Sequence, residues 1–375
     1  MNPVYGPGSR LGIMGGGQLG RMLALAARRL GYRVHVFAPG GGSPAGAVAD
    51  VEVDTGYDNE EAVRRFAKGV DALTFEFENV PADTVRWAAE HCVVRPDAHA
   101  LAVAQNRIRE KSFLADGGFP VAPWAEVTDV AGLAAAAERL GFPSVLKSAE
   151  SGYDGKGQRK LEKPSDLESA DRPPFPCVLE AWVPFVMEIS VVLARGADGS
   201  VAVFPVGENI HQRHILEATV VPARLDPVVA RRAEALAAEI AERLGFSGVM
   251  AVEMFVLADG SLLVNEIAPR PHNSGHYTLD ACLTDQFEQQ LRAVCGLPLG
   301  STELLRPCAM VTLLGDLWAD GEPDWAAVAG FGDVKIHLYG KDRALPGRKM
   351  GHLTVLGATA GEALERVRAA RAALL

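Results

Sequence analysis

The sequence predicts an α/β protein that opens with a small parallel sheet wrapped by helices, continues through a larger mixed α+β region and ends in a shorter mixed segment. Three observations carry this expectation. Short β-prone runs alternate with helical periods through residues 10–94, as a parallel sheet requires. A glycine-rich turn, Gly15 to Gly20, sits between the first of those runs and the first helical period. In the second half, β-prone runs come in pairs around Asp198-Gly199 and Asp259-Gly260, which are hairpin signals.

Arg10 to Met14 reads as a strand, followed by Gly15-Gly16-Gly17-Gln18-Leu19-Gly20 and an Arg-dotted apolar helix ending near Gly31. Amides at such a helix start can receive a phosphate, although the same glycines also serve plain helix-to-strand packing. The strand Arg33 to Phe37 ends in Ala38-Pro39-Gly40, where a dinucleotide site would carry an acid for the ribose hydroxyls; its absence counts against NAD. Helix Asp58 to Lys68, strand Asp71 to Phe77, helix Pro81 to His91 and a short strand at Val93 continue the alternation. In Thr74-Phe75-Glu76-Phe77-Glu78-Asn79 the spacing of two puts both acids on one face at a strand's carboxyl end, unless Glu78 already begins a loop.

A charged helix, Ala98 to Ala115, carries Arg107, Arg109, Glu110 and Lys111, read mostly as a solvated face, and Asp116 to Pro120 closes it at a domain boundary. Helix Val130 to Leu140 stops at Gly141-Phe142-Pro143, and the next strand ends on Lys147. Ser151-Gly152-Tyr153-Asp154-Gly155-Lys156-Gly157-Gln158 suits a mobile loop over phosphates, without Walker A spacing. Strand Cys177 to Glu180 leads into Ala181-Trp182-Val183, which would offer a purine a backbone hinge and an aromatic wall, and on to Glu188, suited to ribose hydroxyls.

Ile189 to Ala194 and Ser200 to Pro205 form a hairpin, then Glu208 to His211 and the long helix Pro227 to Leu244 follow. Next come the runs Ala251 to Leu257 and Ser261 to Ile267. With a loop of Asp259-Gly260 alone, or of Ala258 to Ser261, the register pairs Glu253 with Glu266. Opposed carboxylates repel unless a cation sits between them, and Mg²⁺ favours one or two carboxylates plus substrate phosphates. Arg270, His272, Asn273, Ser274 and His276 crowd the following turn; a helix over Asp280 to Val294 ends before Leu297-Pro298-Leu299. A basic knot at Lys341 to Arg343 and Gly347 to His352 reads either as an anion site or as solvated surface.

At 375 residues, 48% hydrophobic and 22% charged, the chain has the composition of a soluble globular protein of about two or three domains. A net charge of −10 leaves no general basic field and argues against nucleic acid as a partner. Cys92, Cys177, Cys282, Cys295 and Cys308 are odd in number and unpaired in spacing, as reduced thiols would be. No leader-like or 18-residue apolar run occurs, so no membrane association and a cytoplasmic location are expected.

The strand-end lysine, the glycine loop, the Glu180-Ala181-Trp182-Val183 hinge, Glu188 and the Glu253/Glu266 pair follow the order of an ATP-grasp nucleotide site. Together with Gly15 to Met22, Thr74 to Val80, Asn265 to His276 and Pro346 to His352, they make the chain closely resemble, over essentially its whole length, the N5-carboxyaminoimidazole ribonucleotide synthetase family of ATP-grasp ligases. The resemblance implies a Rossmann-like domain over 1–110, an ATP-grasp domain over 111–298 with a lid at about 145–210, and a small C-terminal domain over 299–375.

It further implies that Arg107, Lys147, Gly152, Tyr153, Asp154, Gly155, Lys156, Gly157, Gln158, Glu180, Ala181, Trp182, Val183, Glu188, His211, Asn265 and Glu266 bind ATP, with Glu253 and Glu266 holding Mg²⁺. Gly17, Gln18, Leu19, Glu76, Tyr153, Asp154, Arg270, His272, Asn273, Lys341, Arg348 and Lys349 would form the site for aminoimidazole ribonucleotide, the glycine turn taking its phosphate. Bicarbonate would be the co-substrate, attacking the γ-phosphate, and the resulting carboxyphosphate, or CO₂ from it, would react with the imidazole's exocyclic amine. Lys147, Lys156, Arg270 and Asp154 are the implied catalytic groups, Asp154 as orienter or base of the amine. The resemblance also implies a homodimer. Three alternatives remain at this stage: a formate-using glycinamide ribonucleotide transformylase, disfavoured by Asn265, Ala268 and Asn273 to His276; an NAD(P) oxidoreductase; and a non-catalytic nucleotide-binding protein.

Overall fold

The structure is a computed structural model that describes residues 3–150, 152, 156–168 and 172–375. Strands β1 (Arg10–Met14), β2 (Arg33–Phe37), β3 (Val51–Val53), β4 (Ala72–Phe75) and β5 (Val93–Val94) form an all-parallel sheet in the order β3-β2-β1-β4-β5. Their residues are apolar on successive positions because helices cover both faces. These helices are α1 (Gln18–Arg29), α2 (Glu60–Lys68) and α3 (Ala82–Ala89), and two separate apolar clusters lie on the two sides.

The charged helix expected over 98–115 is two helices, α4 (Ala98–Ala104) and α5 (Arg107–Asp116). Asn106 adopts an extended conformation between them, and its side chain accepts from the Ile108 and Arg109 amides, capping α5. The break places Arg107 at the first position of a new helix. The strand expected over 71–77 likewise ends at Phe75, releasing Glu76 and Glu78 from the pleat.

A four-stranded antiparallel sheet follows, β6 (Trp124–Val127), β7 (Ser144–Ser148), β8 (Gln158–Leu161) and β9 (Cys177–Ala181), in the order β6-β9-β7-β8, backed by α6 (Val130–Leu140). The remaining strands join one nine-stranded sheet. They are β10 (Met187–Arg195), β11 (Val201–Val203), β12 (Gly207–Gln212), β13 (Ile215–Val221), β14 (Gly248–Val256), β15 (Leu262–Ala268), β16 (Cys308–Leu314), β17 (Val334–Leu338) and β18 (Lys349–Leu356). Its order is β15-β14-β10-β12-β13-β16-β18-β17, with β11 against β10, so strands from beyond residue 299 extend the sheet that carries the Glu253/Glu266 hairpin.

Helix α7 (Pro227–Arg243) packs its apolar stripe on one face of this sheet. The helix expected over 280–294 is a short α8 (Thr278–Ala281) and then α9 (Gln286–Cys295), restarted by Asp285, whose carboxylate accepts from the Phe287 and Glu288 amides. Helix α9 packs against α1, joining the first sheet to the rest; α10 (Trp325–Ala329) and α11 (Ala360–Ala372) cover the C-terminal strands. All five cysteines are free thiols, and among the described residues no helix is long and apolar enough to cross a membrane.

Candidate active site

The β14–β15 register pairs Glu253 with Glu266 as expected, by a different route from the one the turn signal implied. Leu257 and Ser261 close a three-residue loop, with Gly260 at φ 78°, and toward the loop the register is one residue short of the expected one. A bulge then inserts Asn265 opposite the step from Glu253 to Met254 and restores the pairing at Glu266. Asn265 Oδ1 is buried with no partner among the described residues, and the register puts three oxygen-bearing side chains, Glu253, Asn265 and Glu266, at neighbouring positions.

Burial and then the adjacent Glu266 push Glu253 above the usual carboxylate range. Burial works against the Glu266 charge too, but Arg107, whose Nη1 lies 3.0 Å from Oε2, carries it below that range. Two carboxylates so placed cannot both ionise comfortably without a cation. His272 stands beside them: its Nδ1 accepts from the Ser274 amide at 3.3 Å, which leaves the proton on Nε2, 3.3 Å from Glu253 Oε1. Burial, then Arg270, lowers His272 to about 3, so a neutral imidazole stands 3.3 Å from the Glu253 carboxyl.

On the facing sheet, Lys147 Nζ lies 3.0 Å from Glu180 Oε2, and Lys111 Nζ lies 3.5 Å from the same oxygen. Burial lowers Lys147 and Glu180 offsets part of that; Glu180, despite burial, is held at about 2 by Lys147 and Lys111. Glu180 Oε1 is buried and unpartnered among the described residues. The hinge amides of Ala181 and Trp182 donate to the carbonyls of Pro123 and Pro143. Trp182 does not form an inner wall: it is exposed, with Lys160 Nζ 4.1 Å above its ring. Glu188 and His211 meet across β10 and β12, Nδ1 to Oε2 at 2.8 Å.

The glycine loop's described ends fold back beside Arg107. A side chain at Gly157, φ 73°, would come within 2.5 Å of Ser148 Oγ, so that position tolerates only glycine. Tyr153, Asp154 and Gly155 lie outside the described residues.

At the first sheet's carboxyl edge, the glycine turn is filled from within. The Gly17 and Gly20 amides donate to the two oxygens of Glu76, the latter at 2.6 Å, so a side-chain carboxylate takes the helix N-terminal position where an anion would bind. A Cβ at Gly15, φ 114°, would lie 2.2 Å from Glu76 Cγ. Glu78 does not share a face with Glu76. Its carboxylate takes both arms of the Arg270 guanidinium, Nη2 to Oε1 at 2.8 Å and Nε to Oε2. Gln18 Nε2 donates to Asn273 Oδ1 at 3.1 Å.

Burial opposes the Glu78 charge and Arg270 more than offsets it, holding Glu78 at about 2 against an ordinary 4.5. A depressed carboxylate contributes stability above its unfolded pKa and loses it as pH falls through the folded one. Glu78→Gln is therefore expected to cost about 2 kcal/mol near pH 7, with the gap to the wild type closing between pH 4.5 and 2. Urea midpoints across that range check it; a gap that stays constant would mean that the pair adds nothing electrostatic.

Residues 9–105 match the ribonucleotide synthetase preATP-grasp domain, 112–287 the ATP-grasp domain, and 308–366 the phosphoribosylaminoimidazole carboxylase C-terminal domain. The N5-carboxyaminoimidazole ribonucleotide synthase of Bacillus subtilis (strain 168) is 46% identical over 352 residues, 93% of this chain and 92% of that one. The chain belongs to the N5-carboxyaminoimidazole ribonucleotide synthase family. A crystal structure of an N5-carboxyaminoimidazole ribonucleotide synthetase in complex with ADP superposes with a TM-score of 0.93 at 42% identity, covering 99% of this chain and 98% of that one. The enzyme of Aspergillus clavatus in complex with ADP and 5-aminoimidazole ribonucleotide gives 0.88 at 34% identity, covering 98% of each chain.

As an N5-carboxyaminoimidazole ribonucleotide synthase family member, the chain is an ATP-grasp ligase, and the structure gathers most of the residues singled out from sequence. Lys341 Nζ donates to the Lys349 carbonyl at 2.6 Å, and its charge acts on Glu76; Lys349 acts on His272 and His211. Arg348 Nη1 donates to the Arg343 carbonyl at 2.9 Å. Sequence reading missed Glu110 and Lys111, taken there for a solvated face, yet they are 2% and 0% exposed. A signal was present: Arg107, Glu110, Lys111 and Leu114 fall at i, i+3, i+4 and i+7, the stripe a helix turns inward.

Proposed function

We infer that this chain carboxylates 5-aminoimidazole ribonucleotide with bicarbonate at the expense of ATP, giving N5-carboxyaminoimidazole ribonucleotide, ADP and phosphate. The observation that carries the reading is the continuity of residues 265–276. One segment supplies Asn265 and Glu266 on the side of Lys147, then Arg270, which reaches Glu78 beyond the end of β4, His272 beside Glu253, and Asn273, which meets Gln18 at the start of α1. Such a segment is the seam between a nucleotide site and a second substrate's site.

The two opposed carboxylates and the unpartnered Asn265 Oδ1 fit a hard divalent cation, since oxygen donors few in number leave positions for phosphate oxygens. Mg²⁺ bound there would neutralise charge on the transferring phosphoryl group. Lys147 and Lys156 would add positive charge to the same oxygens while bicarbonate oxygen attacks the γ-phosphorus and ADP leaves. The Val183 amide serves as hinge donor to the purine, and Glu188 accepts from ribose hydroxyls. The ribonucleotide lies between the glycine turn and residues 341–349. With the turn occupied by Glu76, its phosphate falls to Lys341 and Lys349, and Glu76 accepts from a hydroxyl. Arg270, held flat by Glu78, orients the carboxylate being transferred. The amine's proton is assigned to Asp154 as orienter or base. Exclusion of water protects carboxyphosphate, which gives loop 152–158 its purpose.

Phosphate release from ATP, followed with 5-aminoimidazole ribonucleotide and bicarbonate present together or singly, tests the reading; stimulation instead by formate and glycinamide ribonucleotide would overturn it. Asp154→Asn is expected to lose carboxylation by about 10²-fold with ADP binding retained. Wild-type turnover in that variant would remove Asp154 from the base's role. Sedimentation of the full chain tests the homodimer that the family resemblance carries with it.

A further inference from the structure

We propose that Glu110 and Lys111 are positioning residues for Glu266, acting on the backbone on either side of it. The proposal rests on the reading of Glu266 as a metal-facing carboxylate. Strand β15 is the edge of its sheet; on its outer side the Val264 amide donates to the Pro120 carbonyl at 2.7 Å, and beyond that single bridge, around Glu266, no strand neighbours it among the described residues. Helix α5 supplies the partners: Lys111 Nζ donates to the Asn265 carbonyl at 2.9 Å, and the Ile267 amide donates to Glu110 Oε1 at 2.6 Å.

These contacts flank Glu266 at the one place where the ladder does not fix it. Asn265 is the extra residue of the bulge, so strict alternation of side chains between the two faces breaks down there. The direction of the Glu266 side chain then depends on how the two peptide groups around it are held. The ammonium on the carbonyl is a charge-assisted bond, stronger than a neutral one, and the Glu110 carboxyl oxygen fixes the amide by accepting from it. Arg107, one turn earlier on the same helix, completes the hold by meeting the Glu266 side chain itself. One inward stripe of α5 therefore grips the carbonyl before Glu266, its carboxylate and the amide after it.

Burying both charged groups carries a desolvation cost that a neutral edge cap would not. Lys111 recovers part of it from Glu180, and so ties the bulge of the nine-stranded sheet to β9 of the four-stranded sheet. The pair thus sets the metal-facing carboxylate relative to the Lys147–Glu180 couple that faces it.

The test is calorimetric titration of the full-length protein with ADP, in excess MgCl₂ and in EDTA, reading the ratio of the two affinities. Outer partners of metal ligands are typically worth about 10- to 100-fold in metal affinity. Glu110→Met and Lys111→Met are expected to lose at least about tenfold of the Mg²⁺-dependent tightening. Glu110→Gln, whose amide oxygen still accepts from Ile267, is expected to keep it. Should Glu110→Met fail to fold, Lys111→Met decides alone. Wild-type tightening in the methionine variants would overturn the proposal, as would a Glu110→Gln protein no better than Glu110→Met. A wild-type protein whose ADP affinity ignores Mg²⁺ would instead overturn the metal reading of Glu253 and Glu266, and this inference with it.

Discussion

Glu266→Gln is expected to lower kcat by about 10²-fold or more while changing stability by no more than about 1 kcal/mol. The two effects separate because Glu266 sits among charges of both signs. Its carboxylate pairs with Arg107, at a site where the side chains are 18% and 36% exposed, so the lost pair is cushioned by water. The same carboxylate raises both Glu253 and Glu110, and a neutral amide relieves both. Folding thus loses one favourable contact and sheds two unfavourable ones, whereas the proposed cation on the phosphates would lose half of its carboxylate set. Kinetics and thermal unfolding on one preparation decide the matter. Retained turnover with a collapsed melting temperature would make the opposed pair a structural device only.

Lys147→Met should remove about 10³-fold from kcat/KM for ATP. Lys147 is 9% exposed and its ammonium is placed by Glu180, so on the proposed reading it would act on phosphate oxygens from a dry position where charge is strongly felt. Glu180 keeps Lys111 after the substitution, which limits the structural damage. Lys147→Arg is not a conservative control, because a planar fork cannot stand where a compact ammonium fits beside one carboxylate oxygen. Turnover within tenfold of wild type in the methionine variant would place the phosphoryl group elsewhere.

The sequence carried the parallel character of the first sheet and the long hairpin, because these depend on period and turn chemistry. What it hid depends on charge placed where apolar residues usually go. Glu110 and Lys111 were taken for surface because charged residues are rarely buried unpaired, and their partners, Asn265, Ile267 and Glu180, are far away in the chain. The register at Glu266 was legible only through two departures that offset one another, a three-residue loop and a bulge at Asn265. Neither leaves a local mark stronger than Asp259-Gly260. The Glu76 and Glu78 side chains were expected to share a face from a strand period that stops at Phe75. The break at Asn106 had a visible cause, a good capping residue before an acid-containing first turn, but helical propensity on both sides masked it.

Strand β13 pairs with β16 from Ala218 opposite Val311 to Val221 opposite Cys308. Three families of segment can be recognised along this chain as if they were interchangeable parts, yet the seam between the second and third is a row of backbone hydrogen bonds. A fragment stopping at residue 300 would leave β13 with a bare rim, open to any passing strand. Such a fragment should precipitate or pair with itself where the whole chain does not. Grafting the last segment from one relative to another would then succeed or fail on the match of β13 to β16, not on the chemistry of the site.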